Sequence, residues 1–269
     1  MGAGAAYALA TSPTAVKLAA AHPHAVTRLR PTFVLLAAIA LAAPLFAAPS
    51  AAEHPNTIRC VVPLVACPDL VVDATRFAPF KQTQTFSVNS CDVREGHTVP
   101  GTRTLLRFTF TTPNQGLADL VVGAPQGNPN FEFGECHGHY HFKEYADYRL
   151  WTPAQHAEYE ALRVANPGVQ AHVILAENPH LAPVKGDKRG FCVIDLIKYG
   201  PGPAKYLTCG FQGVSVGWAD EYHWSLSGQY IDVTGVAPGD YILEAEVNSE
   251  HLYEESNYDN NRASRLVRI

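Results

Sequence analysis

The chain has 269 residues, 47% of them hydrophobic, 10% aromatic and 17% charged, with a formal charge of −5. That much apolar material supports a sizeable core, and so few charges exclude a disordered chain or a long coiled coil. The length allows one domain or two small ones, and no basic face points to nucleic acid as a partner.

Residues 1–52 carry Lys17, Arg28 and Arg30 and no acidic residue. An apolar run over 33–43 continues to Ala48 and ends in Pro49-Ser50-Ala51-Ala52. A basic start, a short apolar stretch and a small-x-small exit predict a secretory signal peptide cleaved after Ala52. A spanning helix needs about 20 apolar residues, and Pro44 interrupts this run. No stable membrane insertion is therefore expected after cleavage. The rest, 53–269, holds 17 Lys and Arg against 25 Asp and Glu, a formal charge of −8. Such acidity suits a cationic substrate without identifying one. All six cysteines (Cys60, Cys67, Cys91, Cys136, Cys192 and Cys209) lie in this part. An even count in an exported chain predicts disulfides.

Along 53–269, residues 69–73 and 84–90 read as short strands. Residues 103–111 alternate, with Leu106, Phe108 and Phe110 on one face and Arg103, Arg107 and Thr109 on the other. That is the period of a half-buried strand. Pro113-Asn114-Gln115-Gly116 breaks it. Residues 133–150 read as extended. Thr152-Pro153 then opens a helix, with Thr152 as N-cap and Pro153 in the first turn, that stops near Asn166-Pro167-Gly168. Strands are expected again at 169–176, 191–197, 206–211, 228–233, 241–247 and 262–269, with a polar loop at 177–190. The fold class expected is mainly β: a single β-sandwich-like domain with long loops and one short helix.

The densest chemistry lies in Glu135-Cys136-His137-Gly138-His139-Tyr140-His141. On a strand, residues i, i+2 and i+4 share a face, spaced about 6.6 Å apart at the backbone. His137, His139 and His141 can then converge on one ion. Three neutral imidazoles suit Cu(II) or Zn(II), and three protein ligands leave a position open.

This segment resembles the copper-binding signature C-H-x-H-Y-H of the lysyl oxidase family, whose three motif histidines bind copper. They map onto His137, His139 and His141. The animal enzymes have W-x-W-H upstream; here Phe131-Glu132-Phe133-Gly134 keeps the aromatics in kind and lacks the extra His. Two later segments also resemble the family. Lys188-Arg189-Gly190-Phe191-Cys192 matches its lysine segment K-x-x-F-C. Residues 215–222, followed without a gap into Gln229-Tyr230-Ile231-Asp232, match its tyrosine segment. Alone, a lysine in a polar loop is ordinarily solvated surface and a tyrosine is ordinarily packing. Lys188 and Tyr222 stand out because both fall at family positions, in order, after the histidines. Lys185 is the rival for the first, and Tyr199, Tyr206 and Tyr230 for the second.

The resemblance covers most of residues 69–269 and implies a catalytic domain over 53–269. It implies Cu(II) and a lysine tyrosylquinone made from Lys188 and Tyr222. The implied reaction converts primary amines, either peptidyl lysine of secreted or cell-surface proteins or small amines, to aldehydes. Molecular oxygen is the acceptor, and hydrogen peroxide and ammonia are released. Asp147 and Asp220 are the candidates for the general base. The resemblance also implies the pairs Cys91–Cys136 and Cys192–Cys209, which leaves Cys60 to pair locally with Cys67. A zinc hydrolase on the same three histidines would need a catalytic carboxylate that the sequence does not locate. A non-enzymatic copper-binding or adhesion module is the third reading, and fold alone does not separate it from an enzyme.

Overall fold

The computed structural model describes residues 56–60 and 66–269, so the expected leader at 1–52 lies outside the described residues. In chain order come β1 (Phe80–Phe86), α1 (Cys91–Arg94), β2 (Gly101–Arg107), β3 (Phe110–Pro113), β4 (Leu120–Gly123), β5 (Phe131–Gly134), β6 (His139–Phe142) and β7 (Ala146–Trp151). Two helices follow, α2 (Pro153–Ala165) and α3 (Ala171–Glu177). The remaining strands are β8 (Val184–Lys185), β9 (Ile197–Lys198), β10 (Gln212–Val214), β11 (Trp218–Tyr222), β12 (Tyr230–Asp232), β13 (Asp240–Val247) and β14 (Arg262–Arg268).

The strands pair antiparallel in several small sheets, ordered β14-β13-β7-β8, β1-β2-β12, β3-β11-β9, β10-β4 and β5-β6. They close around one main core. Leu243, Ala245 and Val247 enter it from alternate positions of β13, and Tyr148 and Leu150 from β7. Phe108 and Phe110 meet the Tyr148 ring edge-on at 4.7 and 5.3 Å. Each such ring contributes on the order of 1.5–3 kcal/mol by leaving water. A smaller cluster of Trp151, Tyr159, Ala171, Ile174 and Leu181 seats α2 and α3 beside β7. Three disulfides, Cys60–Cys67, Cys91–Cys136 and Cys192–Cys209, match the pairing that the resemblance implied. Among the described residues no helix is long and apolar enough to cross a membrane.

The mainly-β class and the α2 boundaries agree with expectation. Thr152 accepts from the Gln155 amide in a capping box, with Pro153 in the first turn. Five details differ. Three helices are present among the described residues rather than one. Residues 169–176 form most of α3, not a strand: Ala171 and Ile174, three apart, reach the surface offered by Trp151 and Tyr159. The stretch 133–150 is not one extended run but the β5–β6 hairpin followed by β7. Residues 69–73, 191–197 and 206–211 carry only the single bridges Leu70–Asn114, Phe142–Phe191 and Thr208–Phe211, plus the start of β9. Finally, Arg107 is buried. Its guanidinium donates to the Trp224 carbonyl and the Gln84 side chain and lies 4.9 Å over the Tyr230 ring, so both faces of β2 are covered.

Candidate metal centre and cofactor pair

The β5–β6 hairpin sets the histidines. Its register pairs Glu132 with His141 and Gly134 with His139. The His137 and Gly138 amides both donate to the Gly134 carbonyl, at 3.1 and 2.8 Å, and Gly138 takes φ +69°, which glycine adopts freely. His137 therefore sits in the turn, and only His139 and His141 share the β6 face. Their Nε2 atoms face each other at 3.1 Å. The His137 ring stands 5.7 and 5.5 Å from theirs, centroid to centroid. His139 Nδ1 lies 3.1 Å from the His137 carbonyl. A carbonyl only accepts, so Nδ1 holds the proton and Nε2 keeps its lone pair for the site. Burial, then the charge of Lys188 and the neighbouring imidazoles, pulls the His141 pKa down to about 3. Burial and His137 lower His139 as well.

Gly134 makes room for this arrangement. A Cβ there would lie 2.9 Å from His141 Cε1 and 3.3 Å from its Nδ1. The residue that replaces the animal enzymes' extra histidine is thus the floor under the His141 ring.

Two residues that the sequence did not single out join the cluster. Glu95 Oε2 is 3.0 Å from His137 Nε2 and 3.4 Å from His97 Nε2. The Cys91–Cys136 bridge delivers them, because it ties the first residue of α1 to the residue before His137, and Glu95 and His97 follow directly after that helix. The available signal was the implied disulfide: whatever follows Cys91 must lie near whatever follows Cys136.

These residues fit a copper(II) ion. Two imidazole nitrogens that face each other at 3.1 Å share one proton as an N–H···N contact between neutral rings, and a cation between them would take that proton's place. Nitrogen donors of this kind suit copper over calcium or magnesium. A cavity of about 410 Å³ opens beside them, lined by Glu95, His97, His141, Glu132, Asp187 and Arg189 among others.

Lys188 and Tyr222 both pack against Phe191. Lys188 is 6% exposed, its Nζ donates to the Ser227 carbonyl at 3.0 Å, and it lies 5.6 Å over the Phe191 ring. Burial lowers its pKa against the pull of Glu95 and Asp92. The Tyr222 ring sits 4.2 Å from that of Phe191. Its hydroxyl donates to the Cys192 carbonyl at 2.9 Å and makes a very close contact with the Asp220 carboxylate. Burial and Asp220 push its pKa well above the phenol value. No hydrogen bond or ring contact joins Lys188 to Tyr222 among the described residues; each meets the Phe191 ring. Of the rivals, Lys185 is exposed on β8, and the Tyr199, Tyr206 and Tyr230 hydroxyls are engaged by Asp73, Asp119 and Asp92.

The two base candidates differ sharply. Burial would raise the Asp147 pKa, but Arg149 and Arg189 win and hold it below the carboxylate range, and Ser249 also binds it. Asp147 is a counter-ion rather than a free base. Asp220 is fully buried beside Tyr222, and burial raises its pKa well above the carboxylate range.

The family model described as lysyl oxidase matches residues 79–268. Protein-lysine 6-oxidase of Gallus gallus is 34% identical over 161 residues, which span 59% of this chain and 32% of that protein. The Sus scrofa protein of the same name is 34% identical over 161 residues, 59% of this chain and 54% of its own length. Lysyl oxidase homolog 1 of Homo sapiens is 32% identical over 161 residues, 59% of this chain and 24% of its own. The chain thus matches between about a quarter and about half of these relatives' lengths. With the histidines, the paired cysteines and the family match running through one domain, the chain belongs to the lysyl oxidase family.

Proposed function

We propose that the protein is an exported copper amine oxidase that converts primary amines to aldehydes, with molecular oxygen as acceptor and release of hydrogen peroxide and ammonia. His137, His139 and His141 hold Cu(II), and Lys188 and Tyr222 form the quinone, with 53–269 as the catalytic domain. The observation that carries this reading is the facing pair of His139 and His141 Nε2 at 3.1 Å, with buried Lys188 close enough to depress His141. When bound, copper and the quinone supply the redox chemistry.

The chain's own residues supply the rest. Burial of Lys188 favours its uncharged amine, the form able to bond to an oxidised ring. Asp220 meets the Tyr222 hydroxyl and is the titratable group positioned to exchange a proton with that oxygen. Both side chains pack on Phe191 without contacting each other, so joining them requires one of the two to move. Glu132 and Asp187 line the cavity and favour a cationic amine over a neutral one. The three disulfides and the expected leader support export. Lysine side chains of secreted or cell-surface proteins and small free amines both fit the chemistry of this site.

The test is phenylhydrazine titration of protein made with copper in an oxidising compartment. A coloured adduct is expected, and its loss in both Lys188→Ala and Tyr222→Phe assigns the pair. Copper-loaded protein with no adduct, and no peroxide from any primary amine, would sink the reading.

A further inference from the structure

We propose that Arg189 is the residue that positions Lys188 for cofactor formation. Its guanidinium is clamped by Asp147, Glu144 and Glu250, and the clamp fixes the backbone from which Lys188 reaches toward the segment that carries Tyr222. This role rests on the reading that Lys188 and Tyr222 form the quinone, and deepens it.

The clamp draws on separate parts of the fold. Arg189 Nε lies 2.7 Å from Asp147 Oδ1 on β7. Its Nη2 donates to Glu250 Oε1 at 3.0 Å, beyond the end of β13, and its Nη1 donates to Glu144 Oε1 at 3.5 Å, just before β7. The anchors are themselves held. Arg149 and Ser249 bind Asp147, and His172 on α3 pairs with Glu250. A planar, rigid guanidinium meets three carboxylates in few orientations, so the group is oriented as well as neutralised.

The backbone beside it is pinned too. The Arg189 carbonyl accepts from the Tyr145 amide at 3.0 Å, and Phe191 exchanges both backbone hydrogen bonds with Phe142 of β6, at 2.6 and 3.0 Å. Lys188 reaches elsewhere. Its Nζ donates to the Ser227 carbonyl, in the loop that follows Tyr222. Asp92 sets that acceptor in turn: its Oδ1 accepts from the Gly228 amide at 2.9 Å and from the Tyr230 hydroxyl at 2.8 Å. One residue thus ties the segment to the four-stranded sheet, and its neighbour presents an amine to the loop of the tyrosine. Bond formation between two groups not yet in contact depends steeply on where each is held. A guanidinium has no lone pair to offer a metal, so this role is separable from copper binding.

The test uses the full protein as wild type, Arg189→Ala, Arg189→Lys and Glu250→Gln. Copper is added in air to copper-free protein, and quinone is followed in time as its phenylhydrazine adduct. In parallel, copper-free protein is treated with an amine-reactive label, and Lys188 and Lys185 are read by mass spectrometry. In Arg189→Ala, quinone is expected at least about tenfold more slowly. Lys188 should label faster, while Lys185, exposed on β8, should not change. Copper affinity, read by chelator competition, should not fall. Arg189→Lys keeps the charge without the fork and should recover part of the rate. A wild-type rate in Arg189→Ala, or a slower rate with unchanged Lys188 labelling, overturns the proposal. If Arg189→Ala fails to fold, Glu250→Gln decides, because it removes one anchor and leaves the Asp147 pair: unchanged rate and labelling there overturn the proposal. Wild-type protein that binds copper and gives no adduct overturns the oxidase reading and this role with it, whereas an adduct that forms as fast in Arg189→Ala as in wild type strikes this role alone.

Discussion

The His141 ring is pinned by what is missing beneath it. Gly134 has no side chain, and the ring occupies the volume that a Cβ would need. The backbone at Gly134 is not among the positive-φ positions, so alanine is sterically allowed there and the clash falls on the imidazole. Gly134→Ala is expected to turn the ring and weaken copper affinity about tenfold, by analogy with lost ligand support. The metal-free protein should lose no more than about 1–3 kcal/mol, the usual cost of overpacking. Chelator competition and denaturant unfolding read the two effects separately, and unchanged copper affinity would show that the ring tolerates the methyl. The same lesson applies to Lys188, Tyr222 and Asp147. Residue type and order nominate them, while their roles follow from neighbours: Ser227 and Phe191 for the lysine, Asp220 for the tyrosine, two arginines for Asp147.

Between elements, the Cys91–Cys136 bridge is the joint that matters. It fastens α1 and the Glu95–His97 turn to the β5–β6 hairpin across a separation of 45 residues. Chain-entropy reasoning puts the stabilisation from closing such a loop at about 4 kcal/mol, with measured cases commonly 2–4. Replacing both cysteines by serine should cost about 2–4 kcal/mol in urea unfolding. It should also lower copper affinity more than the same double change at Cys60 and Cys67, which lie outside the cluster. Equal losses from the two pairs would remove the special role given to this bridge. Elements with their own local signals were legible in the sequence. Helix α2 carries a cap, a first-turn proline and a stop, and β13 and β14 sit close to where alternation puts them. Helix α3 was not, because Val169-Gln170-Ala171-His172-Val173-Ile174 is apolar enough for either state. The waiting surface of Trp151 and Tyr159 selects the helix.

Across the molecule, a buried ionic layer links the four-stranded sheet to α2. Arg149 meets Asp147, Glu244 and Glu246, while Arg163 and Arg262 reach the same glutamates from α2 and β14. Burial alone would raise the Glu244 pKa. The His156 contact, Arg149 and Arg262 outweigh it and pull the pKa from 4.5 down to about 2. A depressed folded-state pKa means that the unfolded chain takes the proton first. The contribution is therefore full above pH 4.5 and is lost as pH falls toward 2. Its size is on the order of 3 kcal/mol. Unfolding free energy followed from pH 5 to 2 should drop by about that much more in wild type than in Glu244→Gln. Parallel acid limbs in the two proteins would show that the glutamate does not carry the loss.

Three histidines in five residues, a lysine and a tyrosine in order behind them, and six cysteines in residues 53–269 were enough to identify the family and the reaction to test. Those signals are local, and local spacing survives without a fold. Glu95, His97, the floor at Gly134 and the Phe191 ring that both Lys188 and Tyr222 pack against were invisible until the chain closed on itself. Each depends on residues far apart in sequence meeting through a disulfide, a hairpin register or a shared core, and no periodicity records those meetings.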